Sequence, residues 1–315
     1  MSTLDTPQAD RILPGILLMI GFCMSAPMLD VAAKLAAQTL PVGQITAARF
    51  VIQAALMLPV CLWLGLRMRP RPGTVAMLLW RALFLVLSTY FFIAAIRVMP
   101  IADALAIVFV EPFIILFVAK YLFGDEIGPR RIGAAVVGFA GALLVIQPSL
   151  RAFGYVALLP LGTAFSFAAY MLITRGLSRR MHPVTMQFHT AAIAALATVP
   201  VIWLADGRGW PTLDPVMPQG LAWVWLLGVG AFAALSHMMM TQALTFAPSA
   251  TLAPLHYLEI VMATALGYLI FDDFPDPMTL AGIAVIMGSG LFVIHRERQI
   301  SRADQATKAP PGSPV

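Results

Sequence analysis

Two glutamates, Glu111 and Glu259, sit midway along strongly apolar stretches of this chain, 148 residues apart. The sequence around them repeats. The stretch from Pro100 to Glu111 (PIADALAIVFVE) lies over Pro248 to Glu259 (PSATLAPLHYLE). The same gap-free register matches Leu87-Ser88 with Leu235-Ser236, Phe123 with Phe271, Asp125 with Asp273 and Pro129 with Pro277. A carboxylate at hydrocarbon depth is costly, so two at equivalent places point to a polar site shared by two halves. Such a pair can bind a substrate or take up and release protons. Alternatively, each can satisfy backbone groups freed by a nearby proline: Pro112 removes the bond to the Val108 carbonyl, and Pro254 precedes Glu259 by five residues. His256, three residues before Glu259, shares its helical face.

Other polar residues lie at similar depths. Asp30 and Lys34 are four apart, a spacing that lets them pair on one helical face, with Arg49 at a comparable level. They read as an outer gate or a charged-substrate anchor, or as an interfacial ion pair with Lys34 reaching toward the headgroups. Arg81, near the opposite interface, is expected to reach out in the same way. Tyr90, Tyr170, His237 and Tyr257 are candidates for a cavity wall, and aromatic rings with polar tips suit a planar heterocyclic solute. Ser236 is the repeat equivalent of Ser88, and hydroxyls like these also join helices to one another. Gly133, Gly138, Gly141, Gly282, Gly288 and Gly290 suit close helix contact, either between two halves or in a homodimer.

The elements that carry these residues follow from composition. The chain is 60% hydrophobic and 11% charged, with a mean hydropathy of +0.87. A soluble domain does not need so much apolar surface, so the class is a polytopic membrane protein. Segments long enough to span fall at about 13–35, 43–66, 75–98, 101–123, 131–148, 153–174, 183–205, 219–245, 249–271 and 277–295. The expected fold is all-α, with ten transmembrane helices forming two inverted five-helix repeats, residues 13–148 and 149–295. A polar tail, 1–12, has no cleavage-site pattern, and 296–315 reads as a disordered tail. Both cysteines fall inside apolar segments and form no disulfide framework.

Basic residues fix the expected orientation. Arg11, Arg67, Arg69, Arg71, Lys120, Arg130, Arg131, Arg175, Arg179, Arg180 and the basic residues after 295 gather on one side. Lys34, Arg97, Arg151 and Arg208 fall on the other, which places both termini in the cytoplasm. Trp63 and Trp80 then lie near inner helix ends, and Trp203, Trp210, Trp223 and Trp225 near outer ones. Five helices per half is odd, so the halves are inverted. The turn from Gly124 to Arg131 is cytoplasmic and its counterpart from Asp272 to Thr279 external, which explains why only the first keeps its arginines. The net charge of +5 therefore reports orientation and not nucleic-acid binding.

The ten-helix layout, the paired halves and the Gly124-Asp-Glu turn resemble the drug/metabolite transporter superfamily in its EamA-type branch. Asp30-Val-Ala-Ala-Lys34, Ala253-Pro-Leu-His-Tyr-Leu-Glu259 and Phe271-Asp-Asp-Phe-Pro-Asp276 resemble bacterial carriers for riboflavin or S-adenosylmethionine uptake. Asp272 stands where the inner turn has Gly124, so the two turns are expected to differ in backbone shape. The resemblance implies a bacterial inner-membrane carrier with a cavity between its halves, working by alternating access on a small-molecule substrate, with protons as a further ligand. It implies no enzyme activity and no cofactor. Export of amino acids remains the alternative, since alternating access is reversible. The sequence has no metal-ligand spacing, phosphate loop or nucleophile triad, so transport must draw on a gradient. Cysteines introduced at Arg71 and Asp214 test the orientation: an impermeant thiol reagent should label only the second in intact cells. Labelling of both would refute the ten-helix topology.

Overall fold

The computed structural model describes residues 9–308 except 67, 71–72, 124–128, 179, 247–251 and 253–254. The turn residues 124–128, Arg67, Arg71, Arg179, Pro248, Ala253, Pro254 and the ends 1–8 and 309–315 therefore lie outside the described residues. Among the described residues eleven α-helices follow one another: α1 (Ala9–Ala36), α2 (Val42–Trp63), α3 (Val75–Ile96), α4 (Ile101–Val108), α5 (Glu111–Phe123), α6 (Pro129–Phe153), α7 (Leu159–Ser178), α8 (Pro183–Ala205), α9 (Ala222–Phe246), α10 (Leu258–Phe271) and α11 (Pro277–Lys308). Among the described residues no strand occurs.

Starts and stops follow local chemistry. Pro183 occupies the first turn of α8, and the His182 ring accepts the Val184 N–H at 3.3 Å. Asp276 caps α11 through the Met278 N–H at 2.8 Å and the Thr279 hydroxyl at 2.6 Å, and these donors hold its carboxyl below the usual carboxylate range. Asp272 closes α10 at φ 58°, the left-handed conformation that glycine ordinarily supplies. An aspartate thus closes this helix as a glycine would, while its counterpart Gly124 lies outside the described residues.

Among the described residues six helical stretches are long and apolar enough to cross a membrane, and two more apolar helices, Leu258–Phe271 and Pro277–Phe292, are shorter. One of the six, Ile132–Leu177, has 46 residues. At 1.5 Å per residue it would run roughly 70 Å, about twice the hydrocarbon core. It cannot be one span, and the 3-10 turn Gly154–Leu158, entered by Gly154 at φ 63°, divides it. The outward surface is apolar, with Leu196, Trp203 and Leu269 about three-quarters exposed, as lipid contact requires.

The fourth and ninth segments depart from the sequence expectation of unbroken spans. The fourth divides at Phe109–Val110, where α4 ends and α5 begins with Glu111. The ninth has a turn at Tyr257, immediately before α10. Pro112 explains the first break, because its missing N–H and its ring exclude a regular turn there. The last helix also runs beyond residue 296, so the expected disordered tail is helical as far as Lys308.

Helix contacts come in matched sets. The α1–α9 contact has a counterpart in α7–α3, α2–α9 in α8–α3, and α1–α10 in α7–α5. Helices α2 and α8 meet, as do α6 and α11. At the last contact a Cβ on Gly282 would lie 2.7 Å from the Gly141 carbonyl oxygen and 2.6 Å from a Val145 methyl, so the glycines serve a contact within one chain. Gly282→Ala should lower stability in detergent by about 1 to 3 kcal/mol, since backbone must yield. Gly288→Ala, whose Cβ meets nothing within 4 Å, should not lower it. Thermal unfolding of both variants checks the pair.

Candidate functional site

A cavity opens at the centre of the bundle, between α1, α2, α3, α7, α9 and the two broken segments. Asp30, Glu111, Ser236, His237, His256 and Glu259 all line it, so six of the ten residues singled out from sequence are brought together. Its lining follows the repeat. Ser88 and Ser236, Thr89 and His237, Phe92 and Met240, Val108 and His256, and Glu111 and Glu259 are each 148 residues apart, and all ten face this space.

Each glutamate stands in the first turn of a restarted helix, Glu111 opening α5 and Glu259 second in α10. A helix N-terminus carries the positive end of the helix dipole, which makes a carboxylate tolerable at this depth. His256 Nε2 lies 3.0 Å from Glu259 Oε2 despite the turn at Tyr257 between them. The His256 ring packs against Phe22 and Phe109, with centroids 5.3 and 5.5 Å apart. Phe109 stacks on Tyr257 at 5.2 Å. These two are repeat equivalents, each two residues before its glutamate, so the two breaks brace one another.

Arg49 of α2, also buried, lines the same cavity. Its Nη1 donates to the Thr89 hydroxyl and its Nη2 meets His237 Nε2 at 3.0 Å. The two groups that hold its fork are repeat equivalents. Behind His237 lies Tyr170, edge-on at 6.4 Å, whose hydroxyl accepts from Arg81 at 2.7 Å.

Four residues expected at the cavity lie elsewhere. Tyr170 is fully buried one layer behind it, stacked on Phe167. Tyr257 is held between Phe109 and Gly290, where a Cβ on the glycine would collide with its hydroxyl. Tyr90 packs edge-on to Phe91 at 6.3 Å, against the main core. Lys34 does not pair with Asp30. Its ammonium reaches Asp273 at 2.6 Å and the Met99 carbonyl at 3.2 Å, over the Phe271 ring. The reason is geometric: Asp30 turns toward the cavity, one helical turn deeper, and the loop after α10 brings Asp273 to the end of α1.

Arg81 also corrects an expectation. It does not reach an interface but is wholly buried, donating to Thr174 at 2.9 Å, to Thr190, to the Met186 carbonyl and to Tyr170. Four acceptors satisfy the guanidinium, and the Tyr170 ring face lies 4.4 Å away. Thr174, Thr190 and Tyr170 are hydroxyl residues at an arginine's level, but no short-range spacing in the sequence links them to Arg81.

The comparisons with known proteins fit this geometry. The profile of the EamA-like transporter family matches residues 13–147 and 154–295. The chain belongs to the EamA-like transporter family. A riboflavin transporter of Brucella anthropi is 24% identical over 90% of this chain and 99% of its own. The pseudopaline exporter CntI of Pseudomonas aeruginosa is 28% identical over 88% of this chain and 95% of its own. An S-adenosylmethionine uptake transporter of Rickettsia bellii is 26% identical over 86% and 88%. A protein of known crystal structure shares the fold at a TM-score of 0.62, with 19% identity, over 93% of this chain and 99% of its own. The molecule is thus a multi-pass membrane protein of a transporter family, and its relatives move small metabolites.

The Lys34–Asp273 pair generates a test by double-mutant cycle. Lys34→Met and Asp273→Asn should each destabilise the protein and combine with a coupling of about 1 kcal/mol. Lys34→Met and Asp30→Asn should combine without that coupling. The reverse pattern, read from thermal unfolding, would restore the pairing of Lys34 with Asp30.

Proposed function

We propose that this protein is a secondary transporter that carries a small organic metabolite across the bacterial inner membrane by alternating access. The observation that carries the reading is the central cavity, whose polar lining is drawn from repeat-equivalent positions on both sides. Two inverted five-helix halves, residues 13–148 and 149–295 with both termini cytoplasmic, account for the matched helix contacts and for the two separate family matches. Two halves that each contribute a broken helix, a glutamate and a serine can rock about the site without dismantling either wall. In this reading Glu111 and Glu259 form the substrate or proton path, and Lys34–Asp273 ties α1 to the α10–α11 loop one turn beyond Asp30.

Uptake of a heterocyclic metabolite is the favoured direction, supported by relatives named for riboflavin and S-adenosylmethionine uptake. Export is the second reading, supported by the relative named as a pseudopaline exporter. Flux into proteoliposomes separates them when run with outward and inward gradients of labelled solutes. Saturable, concentrative flux is expected. Glu111→Gln and Glu259→Gln should each lower it at least tenfold while thermal unfolding stays within a few degrees of the parent. Wild-type flux in both variants would remove the glutamates from the path, and flux linear in concentration would make the protein a channel.

A further inference from the structure

Two residues that line the cavity each keep one buried N–H without an acceptor. Arg49 is buried to within 5% of full burial and His237 to within 8%, and both line the cavity. Arg49 spends Nη1 on Thr89 and Nη2 on His237, and its Nε–H has no partner. Since Arg49 can only donate, His237 Nε2 must accept, and the ring of a neutral imidazole then carries its proton on Nδ1. His237 Nδ1 also has no partner. A buried donor left unsatisfied is expensive, and the Arg49 charge is met only by the neutral Thr89 hydroxyl and the His237 ring. No carboxylate among the described residues lies within ion-pair distance of Arg49. Asp30 is near enough to feel both Arg49 and Glu259 but bonds to neither. The unmet demand is for an anion.

The same cavity also makes the reverse demand. Glu111, Glu259 and Asp30 bring three carboxyl groups to it, and among the described residues the one basic group bonded to any of them is the His256 ring on Glu259. The lining also carries aromatic side chains, among them Phe22, Phe92, Phe109 and Phe167, and the hydroxyls of Ser88 and Ser236. The cavity therefore brings donors from α2 and α9 together with carboxyl groups from α1, α5 and α10.

We propose that the transported metabolite is dipolar. Its carboxylate is bound by Arg49 and His237, and its cationic group by Glu111, Glu259 and Asp30, with an apolar or aromatic body between them. Arg49 suits the anionic end because a guanidinium offers a planar fork of donors and keeps its charge when buried. An uncharged flavin answers neither demand, so the proposal divides the two solute classes that the chain's relatives are named for. It rests on the transporter reading and narrows its substrate.

The test uses full-length protein in proteoliposomes with labelled S-adenosylmethionine, which carries a carboxylate, an ammonium and a sulfonium. Competitors are its decarboxylated analogue, methionine and riboflavin. Saturable uptake is expected, with the decarboxylated analogue competing about 30-fold more weakly than the parent solute, the loss typical of removing one partner of a buried charge pair. Methionine should compete and riboflavin should not. In Arg49→Gln the KM for S-adenosylmethionine should rise about 30-fold, while the affinity for the decarboxylated analogue changes little, so the discrimination collapses. His237→Gln should weaken the same discrimination and covers the case in which Arg49→Gln does not fold, which thermal unfolding reports. Equal competition by the decarboxylated analogue, or saturable riboflavin uptake unaffected by Arg49→Gln, overturns the proposal while leaving a transporter. Absence of saturable flux for every solute counts against the transporter reading and the dipolar substrate together.

Discussion

Hydrocarbon offers no water to a stranded polar group, and the centre of this molecule is organised around that constraint. Two carboxylates lie in the middle of apolar segments, and the chain makes them tolerable by breaking its own helices. Restarting α5 at Glu111 and α10 at Leu258 puts the positive end of a helix dipole beside each glutamate. The break itself needs support, because an interrupted backbone in a bundle is a weak point. Phe109 and Tyr257 supply it by stacking on one another, and Gly290 leaves the room that Tyr257 occupies. The site and the fold are thus solutions to one problem.

The arginines answer the same constraint differently. Arg81 is saturated by hydroxyls and a carbonyl and holds α3 to α7 and α8. Arg49 is only partly satisfied. A guanidinium that is complete without a ligand is structural, whereas one that is incomplete is poised to receive something. Both are buried arginines on adjacent helices, and only the list of their partners distinguishes them.

Much of this was legible in the sequence, and the rest was not for identifiable reasons. The repeat register located Glu111, Glu259 and Ser236, because equivalence across halves survives folding. Apolar runs located the helices, but they hid the breaks: Phe109 and Tyr257 are as apolar as their neighbours, and Pro112 alone hinted at one. Local spacing misled at Lys34, since an i,i+4 pair is always available on paper while its real partner is 239 residues away. Depth misled at Arg81, because distance from a helix end does not say whether a helix face is lined with hydroxyls. Tyr90, Tyr170 and Tyr257 were legible as aromatic but not as second-layer residues, since which face a ring presents is decided by packing.

The long reach of the contacts around α1 has a consequence for how the chain is made. Helix α1 packs mainly on α9 and α10, and its Lys34 pairs with a residue beyond α10. During synthesis, at about ten residues per second, the first helix enters the bilayer long before these neighbours exist, so its polar face waits for tens of seconds. Asp30 and Lys34 must meanwhile be shielded by water, headgroups or the insertion machinery. The nascent first half is an unfinished object, and the last third of the chain completes it.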